Sequence, residues 1–208
     1  MRIQLALLLS VTAACAATPA RPPLPAGAVV RSGDVHDFEY FDGAWTTQQR
    51  RLKARGVGSS DWDEFPATLC TTLYLGGMVT VGELYFPTQG WAGVTVRAFD
   101  LEHRRWSVHW VSGKVGRLGG APVTGGFAGD RGEFYGDDDD GGRPVKVRTT
   151  WHKRDRDHAR WEQAFSYDGR TWETNWTAEF VRADPAATCE AGRPKQQGAP
   201  LTPLTSGR

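Results

Sequence analysis

Between Asp34 and Arg182 apolar and polar residues alternate one for one in short runs. That pattern admits few folds. Val94, Val96 and Ala98 share one face of residues 94–99. Trp106, Val108 and Trp110 share a face, with Ser107 and His109 behind them. Val145, Val147 and Trp151 stand opposite Lys146 and Arg148. A period of two places alternate side chains on opposite faces of a strand, so each run reads as a half-buried strand. The runs are separated by Gly76-Gly77, Asp100 to Arg105, Gly119-Gly120, Asp137 to Gly142, Arg154 to Asp157 and Asp168-Gly169. These breaks leave about ten strands and no amphipathic helix. Consecutive short antiparallel strands make a meander, and eight to ten of them tend to close on themselves. The expected fold is all-β: a single antiparallel meander barrel of about 8–10 strands over residues 34–184.

A chain of 208 residues suffices for one domain with a substantial core. Its 9 Trp, 9 Phe, 5 Tyr and 25 Gly suit strands and tight turns. The net charge of +1 supplies no field for nucleic acid or an anionic membrane. Barrel topology together with this aromatic count makes a small hydrophobic or amphipathic molecule the expected partner.

Residues 164–176, AFSYDGRTWETNW, nearly spell the Asp box of sialidase propellers. The string occurs once, and a six-bladed propeller needs roughly 250 residues, so a single hairpin is the better reading. A two-residue loop at Asp168-Gly169, or a four-residue one from Tyr167 to Arg170, sets Phe165 opposite Trp172 and Trp161 opposite Trp176. Glu162 then faces Asn175, on the side of the sheet that also carries Glu173.

The first residues, MRIQLALLLSVTAAC, give one Arg and a short apolar run, the pattern of a secretory signal over residues 1–17. Small residues before Cys15 resemble a bacterial lipobox, with Thr12 where Leu or Val is usual, so Cys15 is the expected lipidation site. The alternative is ordinary cleavage just after it. Either way the chain is expected to be exported, as a periplasmic protein or an outer-membrane lipoprotein that meets a membrane only through its lipid. Residues 18–33 read as a Pro-rich linker and 185–208 as a flexible tail. In an oxidising compartment Cys70 and Cys189 can pair, with two free thiols as the alternative.

A set of motifs adds a family likeness. HDFEYFDGAW carries Gly43-x-Trp45 at the start of the first strand. The Gly76-Gly77 break, RWEQAF at 160–165 and TWETNW at 171–176 follow. Together they resemble an uncharacterised bacterial family of lipocalin-like, calycin-like barrels known only as a domain of unknown function. The likeness spans roughly residues 34–182. It implies that Trp45 packs across one end of the barrel and that Arg182, from the last strand, covers it. It implies no catalytic residue.

Which face points inward decides the chemistry. An inward aromatic face lines or fills the barrel with Trp106, Trp110, Trp151, Trp161, Trp172 and Trp176, which suits an apolar ligand or a solid core. An inward polar face offers Arg97, His109, Arg148, Glu162, Glu173 and Asn175 to an amphipathic one. A polar face left in water would form weak cross-strand ion pairs. The candidate ligand-binding residues therefore come from both sets. Arg97, His109, Arg148, Glu162 and Asn175 are the polar candidates; Trp106, Trp110, Trp161 and Trp176 are the aromatic ones.

Catalytic candidates are Glu162 with Glu173, as an acid–base pair across adjacent strands, and His109 as a general base. Asp137 to Asp140 fails as a calcium loop, because position twelve is Arg148. No nucleophile elbow, zincin, phosphate-loop or dinucleotide motif occurs, and neither metal nor cofactor is expected. Binding of a small, largely hydrophobic molecule in the cell envelope is the leading expectation. A hydrolase or isomerase acting on such a molecule, and an envelope interaction module without ligand, are its rivals.

Overall fold

A computed structural model describes residues 32–195. The signal segment, Cys15, the linker up to residue 31 and the tail beyond Lys195 lie outside the described residues. Ten antiparallel strands follow one another around a closed barrel. They are β1 (Gly43–Leu52), β2 (Trp62–Tyr74), β3 (Val79–Phe86), β4 (Trp91–Asp100) and β5 (Arg105–Ser112). The second half comprises β6 (Val123–Ala128), β7 (Arg131–Asp139), β8 (Pro144–Lys153), β9 (His158–Ser166) and β10 (Glu173–Arg182). Each strand pairs with the next, and β1 pairs with β10 to close the ring. The expected meander barrel is the observed one, and closure leaves the sheet without a free edge.

The aromatic face points inward. Trp45, Trp106 and Phe134 are fully buried, and Trp151 and Phe180 nearly so. One end of the barrel is plugged by the segment before β1. There a 3-10 turn, Glu39–Phe41, follows Phe38 and drops Phe38 and Phe41 into the bore. Phe38 meets Trp106 and Phe127 edge to face at 5.0 and 5.2 Å, a preferred aromatic geometry. Phe41 packs on Trp151 at 4.8 Å and on Trp45 at 5.1 Å. The Trp106 indole donates to the Asp34 carbonyl at 3.1 Å, which fixes the incoming chain to β5. Sequence periodicity gave no sign of this plug, because HDFEYF belongs to no strand.

Arg182 lies opposite Trp45 in the β1–β10 register, its guanidinium 4.2 Å above the indole. The same guanidinium donates to the carbonyls of Tyr40, Asp42 and Arg156. One side chain thus binds the plug, the last strand and the β8–β9 turn together.

The last hairpin departs from its expected register. Phe165 pairs with Glu173, Trp161 with Ala178 and Glu162 with Thr177. Two local causes account for the shift. Asp168 accepts from the backbone N–H of Arg170 and Thr171, both at 2.8 Å, and from the Thr171 hydroxyl. This holds residues 167–172 as a loop where one of two or four residues was expected. Those bonds keep the Asp168 carboxyl well below the usual carboxylate range. A β-bulge between Thr174 and Trp176 then restores an inward-facing Trp176. Trp172 is left on the outside, against Tyr135 at 6.1 Å and under Arg148.

Beyond β10 the chain forms a helical turn, α1 (Pro185–Thr188), capped by the Asp184 carboxylate. A two-stranded ribbon, β11 (Cys189–Glu190) with β12 (Arg193–Pro194), follows it. Cys189 is bonded to Cys70 of β2. The first residues of the expected tail therefore have a folded conformation.

Candidate functional site

The barrel is not filled along its length. Above the Phe38–Phe41 plug lies a cavity of about 240 Å³. Its walls are Trp151 and Trp161 on one side and Leu84, Val108 and Trp110 on the other. Trp176 closes the wall from β10, 5.8 Å from Trp161 and edge-on to it. The open end is narrowed by a second buried cluster, in which Phe86 stacks on Trp91 at 4.3 Å. Trp91 in turn meets Trp110 at 6.3 Å.

Polar groups interrupt this lining at few points, and most are already paired. Gln49 accepts from the Trp176 indole at 2.8 Å and donates to Thr47 at 2.7 Å. Gln163 donates to Asn175 at 3.0 Å. Arg97 reaches the cavity from β4 and is 2% exposed. Burial lowers its pKa to about 10, so it remains a cation at neutral pH.

The way in follows from the strand pairing. β5 and β6 share three pairs, Trp106–Gly125, Ser107–Thr124 and Val108–Val123. β6 covers β7 only from Arg131 to Tyr135. At the open end β6 therefore no longer joins β5 to β7, and residues 113–122 turn back along β5, where the Gly119 N–H donates to the Trp110 carbonyl at 2.9 Å. His109, Gly119, Gly120, Ala121, Asp137 and Asp138 line the cavity there, and all but His109 are exposed. The remainder of the rim is clasped. Arg55 pairs with Asp140, which also accepts from the Tyr167 hydroxyl at 2.8 Å. The Gly56 N–H donates to Glu173 at 2.7 Å.

The expected site residues separate into three groups on this geometry. Arg97, Trp110, Trp161 and Trp176 line the cavity, and His109 stands at its mouth. Asn175 is buried inside the bulge, bonded to Gln163, with its Nδ2 unpaired among the described residues. The others lie elsewhere. Trp106 belongs to the plug, where Phe38 covers it. Arg148 stacks on Trp172 outside the barrel, 4.8 Å from the ring. Glu162 accepts from Arg160 on the outer face. Arg160 also bonds Glu179, so this face carries the cross-strand ion pairs of a solvated sheet.

Glu162 and Glu173 are not an acid–base pair. Their β9 positions, 162 and 165 by register, fall on opposite faces of the sheet. Glu173 is occupied with Gly56 at the rim. Sequence reading missed Gln49, Thr95, Thr149 and Gln163 as lining residues. Each is a polar residue on an otherwise apolar inner face, and only the closed register reveals the side it takes.

No family model matches the chain. No curated protein matches it either.

Proposed function

We propose that this chain is an exported lipocalin-like carrier that holds one small, largely hydrophobic molecule inside its barrel. The cavity carries the reading. A core that only stabilised the fold would be packed to near-crystalline density, whereas this interior keeps about 240 Å³ open behind a gap between strands. Its walls are tryptophan and aliphatic side chains, with a few placed polar groups, as ligand cavities commonly are. An apolar cavity of about 150 Å³ accepts one benzene ring. The cavity here suits a molecule of roughly ten non-hydrogen atoms by that scale.

Export is supported by the Cys70–Cys189 bond, a feature of oxidising compartments, and by the apolar segment ahead of Cys15. The Gly43-x-Trp45 strand start covered by Arg182 supports membership of the lipocalin-like family described above.

The test is native mass spectrometry of the full chain purified gently from its source. The expected spectrum shows one retained small mass per chain, released on acid denaturation. Thr149→Phe, which places a ring in the cavity, is expected to abolish it. A wild-type chain carrying nothing, and taking up nothing from an extract of its own cells, contradicts the proposal.

A further inference from the structure

The floor of the cavity holds a charge that an apolar ligand would leave unanswered. Arg97 rests on the plug, its guanidinium carbon 4.9 Å from the Phe38 ring, 5.3 Å from Phe41 and 5.4 Å from Trp151. A guanidinium offers five N–H donors. Among the described residues Thr80 alone accepts one, from Nη1 at 3.1 Å. Nε is buried, with no partner among the described residues. No carboxylate among the described residues forms an ion pair with it, and the titratable group acting on it is Tyr40. Burial pushes the Tyr40 phenol up, so Tyr40 is neutral, and its hydroxyl also lacks a partner among the described residues. The three aromatic faces attract the cation but supply no acceptor for its N–H groups. An uncompensated buried charge is costly and is ordinarily paired.

We propose that the ligand is a small monoanionic amphiphile, a carboxylate of about ten non-hydrogen atoms, whose anionic group docks on Arg97 at the cavity floor. Its apolar part lies against Trp110, Trp161 and Trp176. The inference rests on the binding reading above and adds the ligand's charge and orientation. Orientation follows from the two ends. The floor offers unpaired donors in a site of low polarity, where a charge-assisted bond is strong. At the mouth Asp137 is already paired with Lys146 and Asp138 adds a further carboxylate, which favours the head at the floor and leaves the tail outermost.

The experiment is calorimetric titration of the full chain with octanoate, 1-octanol and octylammonium, three probes sharing one tail. The expected order is octanoate tightest, by about tenfold or more over 1-octanol, with octylammonium weakest. In Arg97→Met the octanoate preference disappears, while 1-octanol binds within about threefold of wild type. Arg97→Lys keeps a cation and is expected to keep part of the preference, so the result does not depend on one variant folding. Equal binding of octanoate and 1-octanol by the wild type overturns the docking of an anion on Arg97 and leaves apolar binding standing. Binding of none of the three probes overturns both.

Discussion

Phe38→Ala is expected to cost about 3–5 kcal/mol, among the largest effects of any single truncation in this barrel. Phe38 is fully buried and belongs to no strand. Its ring is the hub of the plug, within 6.0 Å of Trp106, Phe127, Phe134 and Trp151. Those partners sit on four different strands, so they cannot collapse onto the space without moving the barrel wall. The void also opens beneath Arg97, which loses one of its three aromatic supports. Thermal unfolding followed by near-ultraviolet circular dichroism is expected to show a midpoint lower by about 10 °C or more. Val181→Ala supplies the contrast. That side chain is 47% exposed on β10, and its truncation is expected to change stability by less than about 0.5 kcal/mol. A Phe38→Ala midpoint no lower than that of Val181→Ala means that the plug does not close this end.

The second large effect concerns the bond between Cys70 and Cys189. Their separation of 119 residues encloses most of the barrel. Cross-linking a loop of that length removes unfolded-state entropy equivalent to about 4–5 kcal/mol. Cys189→Ser is therefore expected to lower stability by about 4 kcal/mol, and a reducing agent to do the same to the wild type. The reductant is expected to leave Cys189→Ser unchanged. The ribbon of β11 and β12 is held near β2 and β3 by this bond, and Arg193 reaches Glu83 only at 4.0 Å. Without the bond the ribbon detaches, and trypsin is expected to cut after Lys195 well before it cuts within the barrel. Equal urea midpoints for oxidised and reduced wild type contradict this account.

The sequence carried most of the architecture, because alternation and turn residues specify a meander directly. It carried less of the site. On β4 the regular pattern sets the apolar Val94, Val96 and Ala98 together on one face. The barrel turns Gly93, Thr95, Arg97 and Phe99 inward instead, and Arg97 is among the most buried residues of the strand. Closure of the ring decides that face, and neighbouring strands must be in place before it can be read. The last hairpin shows the other kind of limit. Asp168 stabilises a longer loop, and the bulge at Asn175 shifts the strand by one residue. Trp172 and Trp176 thus end on opposite sides of the sheet, although a tight turn gives them one face. The plug was hidden for a third reason. Phe38 and Phe41 are three apart in a 3-10 turn, a spacing too short to register as periodicity.

The plug, the wall tryptophans and the gap between β5 and β7 describe one object, a barrel closed below and open to the side. Gly93 shows how closely the wall is fitted. A methyl group there would stand 2.2 Å from the Trp110 ring, so the strand makes room for that indole with a glycine.

The central claim is that this interior takes up a small apolar molecule. Titration of the full chain with 1-octanol tests it most directly, beside Thr149→Phe as the filled control. The account predicts saturable binding of one molecule per wild-type chain, with a Kd between about 10 μM and 1 mM, and a negative heat-capacity change. It predicts no saturable heat for Thr149→Phe folded to the same near-ultraviolet spectrum. Equal responses from the two proteins, or none from the wild type, would contradict it.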